Sequence, residues 1–207
     1  MVRLILVRHG QVEWNRVERF RGRADLELNE TGLWQAQALA KRIREDFVVD
    51  AIYSSPLRRA RQTAEAIARE TNLPIRVLDG LNDLDYGDWT GLTPEEVAVR
   101  YPQLYDLWLT KPEQLPIPGG ETFDDVRRRA LAAVEEVVSR HEGQTVVLAS
   151  HKAVCKILVC SLMGLSNGSF WRIEQDNAAL NLIRYETGRY VIELLNDTCH
   201  LKPSAHQ

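Results

Sequence analysis

Four consecutive apolar residues near the start, Leu4-Ile5-Leu6-Val7, leave no face for water. They read as a strand buried on both sides, the kind found in a sheet that carries helices on both faces. The strand runs without a linker into Arg8-His9-Gly10, where the glycine permits a sharp turn, and polar Gln11, Glu13 and Asn15 follow. Ligands of open α/β sheets bind just beyond the carboxyl ends of the strands. An arginine and a histidine at that place suit chemistry on an anion.

The rest of the chain alternates in the way such a sheet requires. A polar loop over 16–28 holds Arg16, Arg19, Arg21 and Arg23, and Asn29 then caps a helix with apolar positions Leu33, Ala36, Ala40 and Ile43. A short strand over 50–53 leads to Ser54-Ser55-Pro56, with Ser55 as the cap and Pro56 as the start of a helix bearing Arg58, Arg59 and Arg61. A third strand over 75–78 precedes an irregular stretch over 79–92, and Thr93-Pro94-Glu95-Glu96 begins another helix. Three prolines and a Gly-Gly pair make 111–120 a loop. A helix over 121–141 carries the stripe Val126, Ala130, Ala133, Val134 and Val137. The wholly apolar strand over 145–149 ends in Ser150-His151, where a helix begins at once, and 180–195 reads as a hairpin turned at 186–188. The expected fold is a three-layer α/β/α arrangement with a mostly parallel central sheet and an antiparallel edge.

Bulk properties narrow the function classes. A length of 207 residues suits one domain with a sizeable core. The net charge of −3 supplies no basic surface for nucleic acid, so an anion site must be local. No apolar run reaches membrane-spanning length and no signal-peptide pattern opens the chain. Cys155, Cys160 and Cys199 are odd in number and scattered, which favours a reducing, cytoplasmic setting over a disulfide framework. His141, His200 and His206 read as surface residues.

Three strand ends deliver chemistry to one edge: Arg8-His9 after the first strand, Arg58 early in the helix after the second, and His151 after the strand over 145–149. Two imidazoles and two guanidiniums would face one another near a helix N-terminus that favours anions. Arginine matches phosphate oxygens in bidentate fashion, and a neutral imidazole is a competent nucleophile near neutral pH. Phosphoryl transfer needs positioning and charge neutralisation, and this set supplies both without a metal. Arg59 and Arg61 read as solvated or salt-bridged.

Leu6-Val7-Arg8-His9-Gly10 with Trp14-Asn15 resembles the signature of the histidine phosphatase (phosphoglycerate mutase-like) superfamily. Further blocks appear in that family's order. They are Phe20-Arg21-Gly22 with Leu28-Asn29-Glu30-Thr31-Gly32, then Tyr53-Ser54-Ser55-Pro56-Leu57-Arg58-Arg59-Ala60 with Gln62-Thr63-Ala64. Tyr86-Gly87-Asp88-Trp89-Thr90-Gly91, Pro118-Gly119-Gly120-Glu121-Thr122 and Ala149-Ser150-His151 complete the set, so the resemblance covers nearly all of residues 1–207 as one domain. It implies that His9 becomes a phosphohistidine, that Arg8, Arg58 and His151 hold the phosphoryl group, and that Asp83 protonates the leaving oxygen. Asn15, Arg21, the backbone near Gly22, and Tyr86 would contact substrate. No cofactor or metal is implied.

Two positions depart from the family's habit: Asp83 where glutamate is commoner, with Asp85 or Glu13 as rival acids, and Lys152 where glycine usually follows the second histidine. The shorter Asp83 would serve if its loop moved inward. The tail around Asp176-Asn177-Ala178 and 196–201 is similar to metal-independent phosphoserine phosphatases of the superfamily. A small phosphorylated metabolite, phosphoserine or a phosphosugar, is therefore the expected partner. A cofactor-dependent phosphoglycerate mutase would carry extra basic groups after the acid motif, where this chain reads Gly91-Leu92-Thr93-Pro94 and Leu107-Trp108-Leu109-Thr110. A silent phosphate-binding regulator is the alternative from outside enzymology. The hairpin's edge strand is the one place that suggests a homodimer.

Overall fold

A computed structural model describes residues 1–202. Six strands form one sheet: β1 (Val2–Arg8), β2 (Ala51–Ser54), β3 (Ile75–Val77), β4 (Thr145–Ser150), β5 (Leu180–Glu186) and β6 (Arg189–Asp197), in the order β3-β2-β4-β1-β5-β6. The first four are mutually parallel, whereas β5 is antiparallel to β1 and pairs antiparallel with β6 at the edge. The helices are α1 (Glu13–Arg16), α2 (Glu30–Asp46), α3 (Arg58–Thr71), α4 (Pro94–Arg100), α5 (Pro102–Thr110), α6 (Phe123–Arg140) and α7 (Lys152–Leu162). This is the expected mostly parallel α/β/α fold.

The apolar strands are buried because their residues alternate between two cores. Ile5, Val7, Ile52, Val147 and Ala149 meet Ala36, Leu39, Ala40 and Ile43 of α2 and Ala64 and Ile67 of α3. Leu4, Leu6, Tyr53, Val146 and Leu148 meet Phe123, Val126, Ala130 and Val134 of α6 and Ala153, Val154 and Ile157 of α7. None of the described helices is long and apolar enough to cross a membrane.

Several local expectations hold and others need correction. Asn29 caps α2 by accepting from the Gly32 amide, and Thr93 and Thr122 close capping boxes at α4 and α6. Leu33 is exposed, however, and Leu39 takes its place in the buried stripe of α2. The cap of α3 is Leu57 rather than Ser55, whose hydroxyl instead accepts from the Leu57 amide before the helix starts. α5 fills a stretch without a strong start signal, and its Trp108 is buried among Phe20, Tyr86 and Trp89. His141 is buried too, bonded to the Tyr53 hydroxyl and to Gln144, and His200 is half-buried against the Ala178 carbonyl. His206 lies outside the described residues.

Candidate active site

The register of the parallel strands makes the site. Arg8 of β1 sits opposite Ser150 of β4, and Ser54 of β2 opposite Ala149, so three chain ends emerge side by side. The His9 amide donates to the Ser150 carbonyl at 3.0 Å and the Ser55 amide to Ala149 at 3.0 Å. The rings of His9 and His151 are consequently 5.3 Å apart, both fully buried.

His9 is held as a neutral ring of one tautomer. Its Nδ1–H donates to the Gly10 carbonyl at 2.6 Å, which leaves the Nε2 lone pair free. Burial, then the charges of Arg59, Arg8 and Arg21, push its pKa well below the usual histidine value. The His9 carbonyl accepts from Asn177 Nδ2 at 3.3 Å and from the Ala178 amide at 3.1 Å. His151 is likewise kept neutral, chiefly by burial and then by Arg59. Its Nε2 is hydrogen-bonded to Ser55 Oγ at 2.7 Å, and its Nδ1 faces Asp83 Oδ2 at 3.6 Å.

Three guanidiniums surround this pair. Arg8 donates from Nη1 to the Gln175 carbonyl at 2.7 Å, and Arg21 from Nη1 to the carbonyls of Trp14 and Arg19 at 3.2 Å each. The third is Arg59, not Arg58. Arg58 turns outward toward Asp25 and Glu27 with its side chain 55 % exposed. Arg59 is 0 % exposed and donates to the carbonyls of Gly22 and Ala24 at 2.7 Å and to Asp83 Oδ2 at 2.8 Å. Helix phase explains the correction: Arg59 shares its face of α3 with buried Thr63 and Ile67, one and two turns on. The Nε atoms of Arg8, Arg21 and Arg59 are buried without hydrogen-bond partners. Burial and the Arg21 charge both disfavour the cation at Arg8, so an arriving anion relieves the two together.

Asp83 is the carboxylate of the site, 5 % exposed, with Oδ1 accepting from the Leu84 amide. The rival acids are elsewhere: Asp85 accepts from the Gly87 amide and faces Arg23, and Glu13 pairs with Arg16 on the surface. Asp83 Oδ2 pairs with Arg59 at 2.8 Å.

A cleft of about 530 Å³ adjoins this centre, reaching Arg8, Arg21 and Asp83, while His9, His151 and Arg59 do not line it. Arg8, Asn15, Arg21, Asp83 and Tyr86 line it, and Gly22 acts through its carbonyl on Arg59. Phe170, Trp171 and Asn177 also line it and were not singled out as site residues from the sequence. Lys152 reaches the cleft and pairs with Glu174 at 3.5 Å. Among the described residues, no group of three or more His, Cys, Asp or Glu side chains could hold a metal ion.

Comparison with known proteins shows the family and the fold. The sequence pattern of the histidine phosphatase superfamily (branch 1) matches residues 4–198. Phosphoserine phosphatase 1 of Hydrogenobacter thermophilus is 41 % identical over 201 residues, covering 97 % of this chain and 95 % of the relative. The solved structure of YhfR from Bacillus stearothermophilus superposes with a TM-score of 0.93 at 32 % identity, covering 98 % of this chain and all of that one. A mutant phosphoserine phosphatase of Entamoeba histolytica, solved with phosphoserine, gives a TM-score of 0.88 at 28 % identity, with 98 % and 100 % coverage.

Proposed function

Because the chain belongs to the histidine phosphatase superfamily and is a phosphoric monoester hydrolase, we propose that it works without a metal, through a phosphohistidine on His9. In the first step, Nε2 of His9 attacks phosphorus in line as the ester P–O bond breaks. The guanidiniums of Arg8, Arg21 and Arg59 surround the transferring group and neutralise its charge, with the neutral ring of His151 beside His9. Asp83, whose Oδ2 becomes free to take a proton as the phosphate draws on Arg59, protonates the departing alkoxide. In the second step Asp83, now a carboxylate, takes a proton from water, whose oxygen attacks phosphorus and frees His9. The carrying observation is the neutral His9 ring with its Nε2 lone pair free amid three guanidiniums whose Nε atoms have no partner.

The proposed substrate is phosphoserine, a reading supported by the name of the 41 % identical relative and by the phosphoserine complex of the structural neighbour. The cleft's wall of Phe20, Tyr86, Trp108, Phe170 and Trp171 favours a phosphosugar as second reading, since ring C–H groups pack on aromatic faces. A panel of p-nitrophenyl phosphate, phosphoserine, sugar phosphates and 3-phosphoglycerate with EDTA present, against His9→Ala, is the test. Hydrolysis that survives EDTA and disappears in the variant is expected. Hydrolysis that needs a metal ion, or persists without His9, would overturn the mechanism.

A further inference from the structure

Arg129 of α6 does not line the cleft, yet it directs all five of its N–H groups to the segment that carries Asp83 or to the carboxylate beside it. Nη1 donates to the carbonyls of Gly80 at 2.9 Å and Asn82 at 2.6 Å, and Nη2 to that of Asp83 at 2.9 Å. Nε and Nη2 grip Glu121 in a bidentate pair at 2.9 Å each. The intervening carbonyl, Leu81, accepts from Ser150 Oγ at 2.8 Å, one residue before His151. Four successive carbonyls are thus anchored to α6 and to the end of β4.

The approach to α6 is close. A Cβ at Gly80 would lie 2.6 Å from that of Ala133 and 2.7 Å from the Arg129 carbonyl. Glu121 continues the brace beyond Asp83, accepting from the Asp85 amide at 3.0 Å while its own amide donates to the Asp85 carbonyl at 3.0 Å.

We infer that Arg129, oriented by Glu121, is the positioning residue that sets Asp83 at the leaving oxygen. Proton donation depends on reach, and a short aspartate side chain takes its place from the backbone beneath it. Lysine has a single ammonium and cannot make this five-bond fork. The inference rests on the reading of Asp83 as the acid.

The test compares kcat/KM for p-nitrophenyl phosphate, whose phenolate leaves unassisted, with that for p-nitrobenzyl phosphate, similar in shape but leaving as a basic alkoxide. Both esters give the same phosphoenzyme, so kcat/KM reports events through departure of the alcohol. In Arg129→Lys and Arg129→Ala the benzyl ester is expected to lose about tenfold or more beyond the loss on the phenyl ester. Equal losses on the two esters in folded Arg129→Lys would overturn the inference, and that milder variant decides should the alanine variant not fold. Asp83→Asn is the control. If it lowers the benzyl-to-phenyl ratio while Arg129→Lys does not, only the brace falls; if it leaves the ratio unchanged, Asp83 is not the acid and the brace falls with it.

Discussion

At the scale of single residues, the site turns on which of two adjacent arginines faces inward. Arg59→Ala removes a fully buried cation that touches Asp83, so kcat/KM should fall by roughly 10²–10³, as when one oriented charge-stabilising donor is lost. Arg58→Ala removes an exposed pair with Asp25 and Glu27 and should stay within about threefold. Steady-state kinetics on p-nitrophenyl phosphate measures both, and a reversed order would contradict the geometry. The sequence contained the phase of α3 in Ala60, Thr63, Ala64 and Ile67, which places Arg59 and not Arg58 on the buried side. Reading the arginine by its position within a motif, without that phase, picks the wrong neighbour. Ser55 escaped for a similar reason: it reads as a helix cap, whereas its hydroxyl is taken by His151, 96 residues away.

At the scale of elements, capped helices and apolar strands were legible because their signals are local. Asn29 and Thr93 satisfy amide groups within three residues, and β1 and β4 carry no polar face. α5 was not legible, because its place is decided by Trp108 packing onto distant aromatic rings. The join between α2 and the catalytic turn is a close backbone contact that makes its own prediction. A Cβ at Gly32 would lie 2.0 Å from the Gln11 carbonyl, two residues after His9. Gly32→Ala must therefore push α2 away from that turn, at a cost of about 1–3 kcal/mol. Urea denaturation checks this, and unchanged stability would show that the contact yields freely.

At the scale of the whole molecule, the strand order β3-β2-β4-β1-β5-β6 was not legible, since pairing over more than a hundred residues leaves no local trace. That order is nevertheless what brings two buried neutral histidines together, and it ties stability to pH. Unfolded, each ring takes up a proton near pH 6.5; folded, each stays neutral well below that. The unfolded chain then binds more protons, so stability is present in full above about pH 6.5 and falls as pH drops. For two such rings the slope approaches about 2.7 kcal/mol per pH unit. Denaturation between pH 7 and pH 5.5 should show His151→Asn losing stability less steeply than the parent; parallel curves would mean that the ring takes up its proton as readily in the folded chain as in the unfolded one.

The mechanism requires a covalent bond between phosphorus and Nε2 of His9. Acid would destroy that phosphoramidate, so the direct measurement is an alkaline quench during turnover of p-nitrophenyl phosphate, followed by peptide mass spectrometry. One phosphoryl group, stable in base and lost in acid, on the peptide that contains His9 is the predicted result. Turnover with no phosphorylated peptide, or with the group on another residue, would contradict it.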